Sequence, residues 1–137
     1  MKFIIRDMRA GEESFFIDSW MHQAPYTLAA TGVSPGVLRE GQRTIVEAVL
    51  VHPAVHVLVA HLPDVDGEVC AWAAFDTDAL HFIYTKADYR RQGAATALLA
   101  RVRATSCSSM TKRAAAMRWS QRFTYNPFLA HSLVRDR

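Results

Sequence analysis

One passage limits what this chain can fold into more than any other. Leu80-His81-Phe82-Ile83-Tyr84 is aromatic and branched, the composition of a short strand. Thr96-Ala97-Leu98-Leu99-Ala100-Arg101-Val102-Arg103 is rich in alanine and leucine, the composition of a helix. They are joined by Thr85-Lys86-Ala87-Asp88-Tyr89-Arg90-Arg91-Gln92-Gly93-Ala94-Ala95, which carries one glycine and two adjacent arginines. A strand that turns through glycine into a helix leaves the first N–H groups of that helix without intrahelical partners, and such groups suit an anion. Gly93 lets the backbone come close to a ligand, Ala95 keeps the first turn free of bulk, and Arg90 and Arg91 add fixed positive charge. The passage predicts a strand–turn–helix unit built around a phosphate, and with it a fold that mixes sheet and helix.

The remaining elements follow from periodicity and turn chemistry. Phe3-Ile4-Ile5-Arg6 reads as a first strand, followed by a turn at Gly11. Residues 12–21 form an amphipathic helix with Phe15, Phe16, Ile17 and Trp20 on its apolar side. Residues 24–36, which hold Pro25, Gly32, Pro35 and Gly36, read as a loop or a broken helix. Val37, Ile45, Val46, Val49 and Leu50 mark a helix over residues 37–51 that ends before Pro53. Residues 55–60 and 68–75 are paired strands around the Asp66-Gly67 turn, and Asp76-Thr77-Asp78 turns into the strand at Leu80. A polar link runs over residues 106–112. Residues 114–125 read two ways: alanine favours helix, while the run from Met117 to Phe123 alternates like a strand. Asn126-Pro127 reads as an N-cap followed by proline at the first position of a last short helix. The expected fold class is α/β (α+β): a single domain over residues 1–137, with a central mixed sheet of five strands flanked by helices.

A chain of 137 residues, half of it apolar, can bury a core and is not a disordered one. No apolar run approaches the length of a membrane span and the N-terminus does not read as a signal peptide, so a cytoplasmic location without membrane association is expected. Cys70 and Cys107 stand alone, which predicts reduced thiols, and His22, His52, His56, His61 and His131 share no ligand spacing, so no metal is expected. The net charge of +3 conceals an asymmetry. Residues 1–85 carry five Lys/Arg against eleven Asp/Glu, net −6, while residues 86–137 carry eleven against two, net +9. The basic part suits a phosphate-rich partner, either a nucleotide cofactor or nucleic acid, and a solvated face with no partner also accounts for it.

The pattern Arg90-x-x-Gly93-x-Ala95, set between a strand and an Ala/Leu-rich helix, resembles the pyrophosphate-binding motif of the GCN5-related N-acetyltransferase (GNAT) superfamily. The element order, strand–helix–helix–three strands–helix–strand–helix, is similar to that family's over most of the chain, while the specific motif covers residues 85–95 alone. The resemblance implies acetyl-coenzyme A as co-substrate and an amine as acceptor. It implies that Arg90, Arg91, Gln92, Gly93, Ala94 and Ala95 line the diphosphate, and that Thr85 and its neighbours offer backbone N–H groups to the acetyl carbonyl. It implies a pantetheine contact for Asn126, a residue that helix capping explains equally well. Two features depart from the family. Members usually carry a tyrosine about seven residues after that asparagine as the acid for the leaving thiolate, and Ser132-Leu133-Val134 stands there instead. Members also usually finish with two further strands that wall the acceptor pocket, whereas this sequence ends at Arg137, a short form in which the donor half of the site is the better supported.

Acetyl transfer to an amine needs a base for the ammonium proton and donors for the developing oxyanion. Glu68 and His81 are the candidate bases, and Tyr84 and Tyr125 the candidate thiolate acids. Each has a plain structural alternative: a solvated hairpin end for Glu68, a satisfied buried imidazole for His81, bonded phenols for the tyrosines. Asp76 and Asp78 suit a turn as well as chemistry. Strand alternation puts His81, Ile83 and Thr85 on one face and Phe82 and Tyr84 on the other. Trp20, Trp72 and Trp119 are expected in the core. Besides the acyltransferase, two other classes stand: a nucleic-acid-associated or base-modifying protein using Trp119, Phe123 and Tyr125 among Arg113, Arg118 and Arg122, and a non-catalytic binding module. A last strand over residues 117–123 with an exposed edge predicts a homodimer, formed through residues 114–137, that completes the acceptor pocket. A final helix folded over that edge predicts a monomer.

Overall fold

The computed structural model describes residues 2–65 and 67–136. Six strands, β1 (Ile4–Asp7), β2 (His56–His61), β3 (Ala71–Phe75), β4 (Leu80–Thr85), β5 (Ser106–Cys107) and β6 (Thr124–Tyr125), lie side by side in sequence order. The first four run antiparallel, while β5 and β6 join parallel. The helices are α1 (Glu13–Gln23), α2 (Pro35–Val51), α3 (Ala94–Leu99), α4 (Lys112–Ala115) and α5 (His131–Arg135).

Alternation along the central strands assigns the helices to two faces. Val57, Val59, Trp72, Ala74 and Phe82 form one core with Phe16 and Trp20 of α1, Val46 and Val49 of α2, and Leu133 of α5. Leu58, Ala60, Ala71, Ala73, Phe75 and Leu80 form the other with Leu98 and Leu99 of α3 and with Met110, Ala114 and Phe123 beyond it. The first core is aromatic: Trp20 stacks on Phe82 at 4.8 Å between centroids, and Phe16 meets Trp72 at 4.9 Å. Trp72 Nε1 donates to Ser19 Oγ at 3.0 Å, which satisfies the one polar atom of that ring. Replacing such a buried ring with alanine costs about 3–5 kcal/mol.

The register of β3 against β4 slips at one place: Ala74 opposes Phe82 while Phe75 opposes Leu80, which leaves His81 without a partner across the ladder. This bulge keeps Ile83 on the α3 side with Leu80 and leaves Phe82 and Tyr84 on the α1 side. The turn before β4 is organised by Asp76, whose Oδ1 accepts from the N–H of Asp78 and of Ala79 at 2.8 and 2.9 Å.

The C-terminal third corrects the sequence reading. The polar link over residues 106–112 contains β5 and the start of α4, and the alternating run over residues 117–123 is not a strand. A 3-10 helix spans Arg118–Arg122 instead. Thr111 Oγ1 caps α4 by accepting from Ala114 N at 3.0 Å, and Ser120 Oγ donates to Met117 O at 2.8 Å. Arg122 donates to the carbonyls of Leu99 and Val102 at the end of α3. The Thr111 and Ser120 bonds are local and favour turns over a ladder, while those of Arg122 are long-range. The strand expected over residues 117–123, on which the expected homodimer rests, is shorter and later, Thr124–Tyr125 at the end of the sheet, and Trp119 packs against Phe123 of its own chain. Of the aromatic–arginine set expected for nucleic acid, Phe123 is buried and Arg122 donates to the carbonyls of Leu99 and Val102, while Arg113 and Arg118 are exposed. α5 packs on α2, where His52 Nε2 meets Asp136 Oδ2 at 3.0 Å. Both cysteines are free and buried, and no helix among the described residues is long and apolar enough to cross a membrane.

Candidate active site

β4 pairs with β5 at one position only, Leu80 opposite Cys107. Ser108 N donates to Leu80 O at 3.0 Å, and there the two strands part. The chain after Ser108 leaves the sheet to bond with the loop that follows α1: Leu28 N donates to Met110 O at 3.0 Å, and Thr27 bridges Thr111. The second half of β4 is left with a free edge. Because Lys86 N donates to Cys70 O, the alternation of an antiparallel ladder turns the N–H groups of Ile83 and Thr85 toward that edge.

A cavity of about 490 Å³ fills the gap. One wall is Ile83, Tyr84 and Thr85; the floor is the turn Arg90, Arg91, Gly93 and the first residues of α3; the far wall is Thr111, Lys112, Arg113, Met117 and Trp119; Gln23 and Tyr26 close the end beneath α1. The turn has an unusual backbone. Arg91 has φ 62° and Gly93 φ 94°, both left-handed. For arginine that conformation costs roughly 1–2 kcal/mol, and it persists where the surroundings impose it, which is frequent at ligand clamps. Alternating handedness over successive residues makes neighbouring N–H groups converge into a concave anion site. Gly93 lines the cavity, and apart from its chain neighbours no atom lies within 4 Å of a Cβ built on it, so a side chain there enters open space and not packed protein. Arg90 Nε reaches back to Thr85 O at 3.3 Å and ties the turn to the strand.

The structure brings Tyr84, Thr85, Arg90, Arg91, Gly93, Ala94 and Ala95 together on this cavity. It does not bring Gln92, Asn126, Glu68 or His81 to it. Gln92 Nε2 donates to Asp88 O at 3.2 Å within its own loop. Asn126 caps the turn Pro127–Ala130 by accepting from Phe128 N at 3.1 Å, as the capping alternative anticipated. Glu68 Oε1 lies 3.7 Å from Lys86 Nζ at the surface. His81 is fully buried, with Nε2 2.9 Å from Asp76 Oδ2 and Nδ1 2.6 Å from Ser108 Oγ. Burial opposes ionisation of Asp76, but the His81 hydrogen bond and the N–H groups of Ala79 and Asp78 outweigh it and hold the carboxyl below its usual range. The Asp76–His81–Ser108 chain thus clamps β5 to β4 at the point where they part. Burial pushes the Tyr125 phenol up, and that residue does not line the cavity.

Several lining residues carried no sequence signal. Trp119, expected in the core, is half-buried against the cavity, and Gln23, Tyr26 and Tyr89 join it. Lost solvation and the charge of Glu68 push the Tyr89 phenol upward. Thr111 and Lys112 read in the sequence as the end of a polar link; Thr111 instead caps α4, and the path of the chain brings Thr111, Lys112 and Arg113 to the same cavity as Arg90 and Arg91. The charged residues lining the cavity are Arg90, Arg91, Lys112 and Arg113. Among the described residues no group of three or more His, Cys, Asp or Glu is placed to hold a metal.

No protein-family model matches the sequence, and no curated protein matches it. Solved structures are similar in fold. YjaB from Escherichia coli, in its apo form, is 17% identical, with 74% of this chain and 67% of that one covered and a TM-score of 0.51. A ribosomal-protein-alanine N-acetyltransferase from Brucella melitensis biovar Abortus 2308 is 18% identical, with 73% and 68% covered and a TM-score of 0.50. PaiA N-acetyltransferase from Thermoplasma acidophilum, in complex with coenzyme A, is 16% identical, with 73% and 69% covered and a TM-score of 0.46. At these identities the likeness is one of fold.

Proposed function

We propose that this chain, which has the fold of the GNAT superfamily, is an acyl-coenzyme A-dependent N-acyltransferase that moves an acetyl group from acetyl-coenzyme A to an amine. One observation carries the reading: the free edge of β4 and the left-handed turn at Arg91 and Gly93 face one cavity. The first supplies donors for a carbonyl oxygen and the second donors for a diphosphate. The residues fit such a co-substrate, since every charged side chain lining the cavity is cationic and Gly93 leaves open space above the turn.

In this reading the amine lone pair forms a bond to the thioester carbonyl carbon, and the C–S electron pair leaves with sulfur. The surplus proton of the nitrogen ends on the thiolate, so the products are an amide and the coenzyme A thiol. The N–H groups of Ile83 and Thr85 polarise the carbonyl oxygen. Tyr84, on the cavity wall, is the proton donor to the thiolate. Arg90 and Arg91 hold phosphate, Glu68 serves the surface, and His81 positions β5 rather than touching substrate.

Coenzyme A titration followed by thermal melting tests the reading. A ligand at one hundred times its Kd stabilises by about 2.7 kcal/mol. Gly93→Val should remain folded and lose that stabilisation, because the branched side chain both fills the approach and resists φ 94°. Equal stabilisation of both proteins would remove the site assignment. The nucleic-acid reading keeps one support, the exposure of Arg101, Arg103 and Arg118 outside the cavity. A salt-dependent mobility shift with mixed-sequence DNA, undiminished by Gly93→Val, would favour it.

A further inference from the structure

We infer that the groove between α2 and α5 is the contact surface of a two-fold homodimer, in which Phe128 of each chain packs beside Gly41 of the other; the inference stands apart from the transferase reading. The groove encloses about 850 Å³ and shares no residue with the cavity beside β4. Among the described residues, Phe128 and Val37 are the large apolar side chains most open to solvent, 72% and 65% exposed, and both line it. Apolar residues exposed singly are ordinary, whereas those gathered on one concave surface mark an interaction site. Aromatic side chains are enriched at the centre of such sites. Gly41 gives the groove a notch. It lies inside α2, where glycine is a poorer helix former than alanine. Apart from its chain neighbours and the backbone of its own helix, no atom lies within 4 Å of a Cβ built there, so packing within the single chain does not call for glycine. A side chain arriving from a second molecule does.

The charges of the groove identify what covers it. Its α2 wall carries Glu40, and its α5 wall carries His131 and Arg135. Among the described residues neither Glu40 nor Arg135 forms an ion pair, although their neighbours do: Arg43 meets Glu47 at 3.3 Å and His52 meets Asp136 at 3.0 Å. A surface with acid on one side and base on the other is complementary to itself, because a two-fold rotation sets the acidic wall of each chain against the basic wall of the second copy. A partner of one charge sign would meet like charge on one wall. The axis sets Glu40 against Arg135 of the second copy, and Phe128 against its notch at Gly41, each contact made twice. Phe128, His131 and Arg135 belong to the segment 114–137 from which a homodimer is expected, but the contact is a helical face and not a strand edge.

Sedimentation equilibrium at micromolar concentrations measures the association. The wild-type protein should reach twice the chain mass. Phe128→Ser removes an exposed ring, should leave the fold intact and should raise the dimer Kd by about tenfold or more. Gly41→Leu fills the notch with a better helix former, so it should weaken association while raising the melting temperature of the dilute monomer. Glu40→Arg and Arg135→Glu should each weaken self-association several-fold, because like charges then meet at both contacts. Their equimolar mixture should recover the wild-type Kd, since the mixed dimer places opposite charges at both contacts, whereas a pair formed within one chain would not be repaired by mixing. A wild-type protein that keeps the chain mass overturns the inference and leaves the groove to a different occupant. A dimer unmoved by Phe128→Ser and Gly41→Leu overturns it as well, by placing the contact on another face. So does a mixture that associates no better than its two components.

Discussion

Arg91 concentrates the conflict between stability and site geometry. It is exposed, positively charged and left-handed at φ 62°, a conformation glycine would adopt without cost. Arg91→Gly relieves strain in the folded chain and gives the unfolded chain more freedom, two effects of similar size and opposite sign. Melting without ligand should therefore change by less than about 1 kcal/mol. Melting with coenzyme A should show a several-fold loss of affinity, larger at low salt, because a phosphate loses its charged partner. A large loss of intrinsic stability with full affinity would mean that the arginine packs rather than binds.

At the scale of elements, the decisive event is the parting of β4 and β5 after a single pair. His81, the extra residue of the bulge, bonds Asp76 on one side and Ser108 on the other, and so fixes where the parting begins. The Asp76 carboxylate accepts from Nε2, and Nδ1 shares a hydrogen bond with the Ser108 hydroxyl. Ser108→Ala leaves a buried ring nitrogen unpaired, at about 1–3 kcal/mol. If the network also sets the width of the cavity, coenzyme A affinity should fall several-fold, and Ser108→Thr, which keeps the hydroxyl, should restore both. Unchanged affinity in a destabilised Ser108→Ala protein would confine the network to folding.

For the whole molecule, the buried titratable groups define a pH window. The Asp76 carboxyl is depressed in the folded state. Its contribution is present above the unfolded carboxylate range near 3.9 and is lost as pH falls below that toward the folded value. Burial pushes the Cys107 thiol up to about 11. An unfolded thiol gives up its proton near 8.5 while the folded one keeps it, so stability falls as pH rises from about 8.5 toward 11. Urea denaturation should show a plateau between about pH 5 and 8 with a decline on each side. Asp76→Asn should flatten the acid limb and Cys107→Ala the alkaline one. Limbs unchanged by both substitutions would place the linkage on other groups.

What the residues determined by themselves is what they settle within a few positions. The glycine turn before α3, the Asp76 turn, the proline-bounded end of α2 and the Asn126 cap all follow from local dihedral preferences and short side-chain bonds. The half of the candidate site from Arg90 to Ala95, proposed to hold phosphate, was legible for that reason. Tertiary structure decided the rest. Residues 117–123 alternate like a strand, yet bonds from Ser120 and Arg122 to carbonyls outside the pattern coil them. His81 looked like a base on the motif strand, yet the bulge turns it onto Asp76 and Ser108. The opposite wall of the cavity, from Thr111 to Trp119, and its end at Gln23 and Tyr26 meet β4 only because the chain leaves the sheet after Ser108 and bonds to Thr27 and Leu28. Alternation and capping are short-range, whereas the place where two strands stop pairing depends on where distant segments find their hydrogen bonds, and no local pattern encodes it.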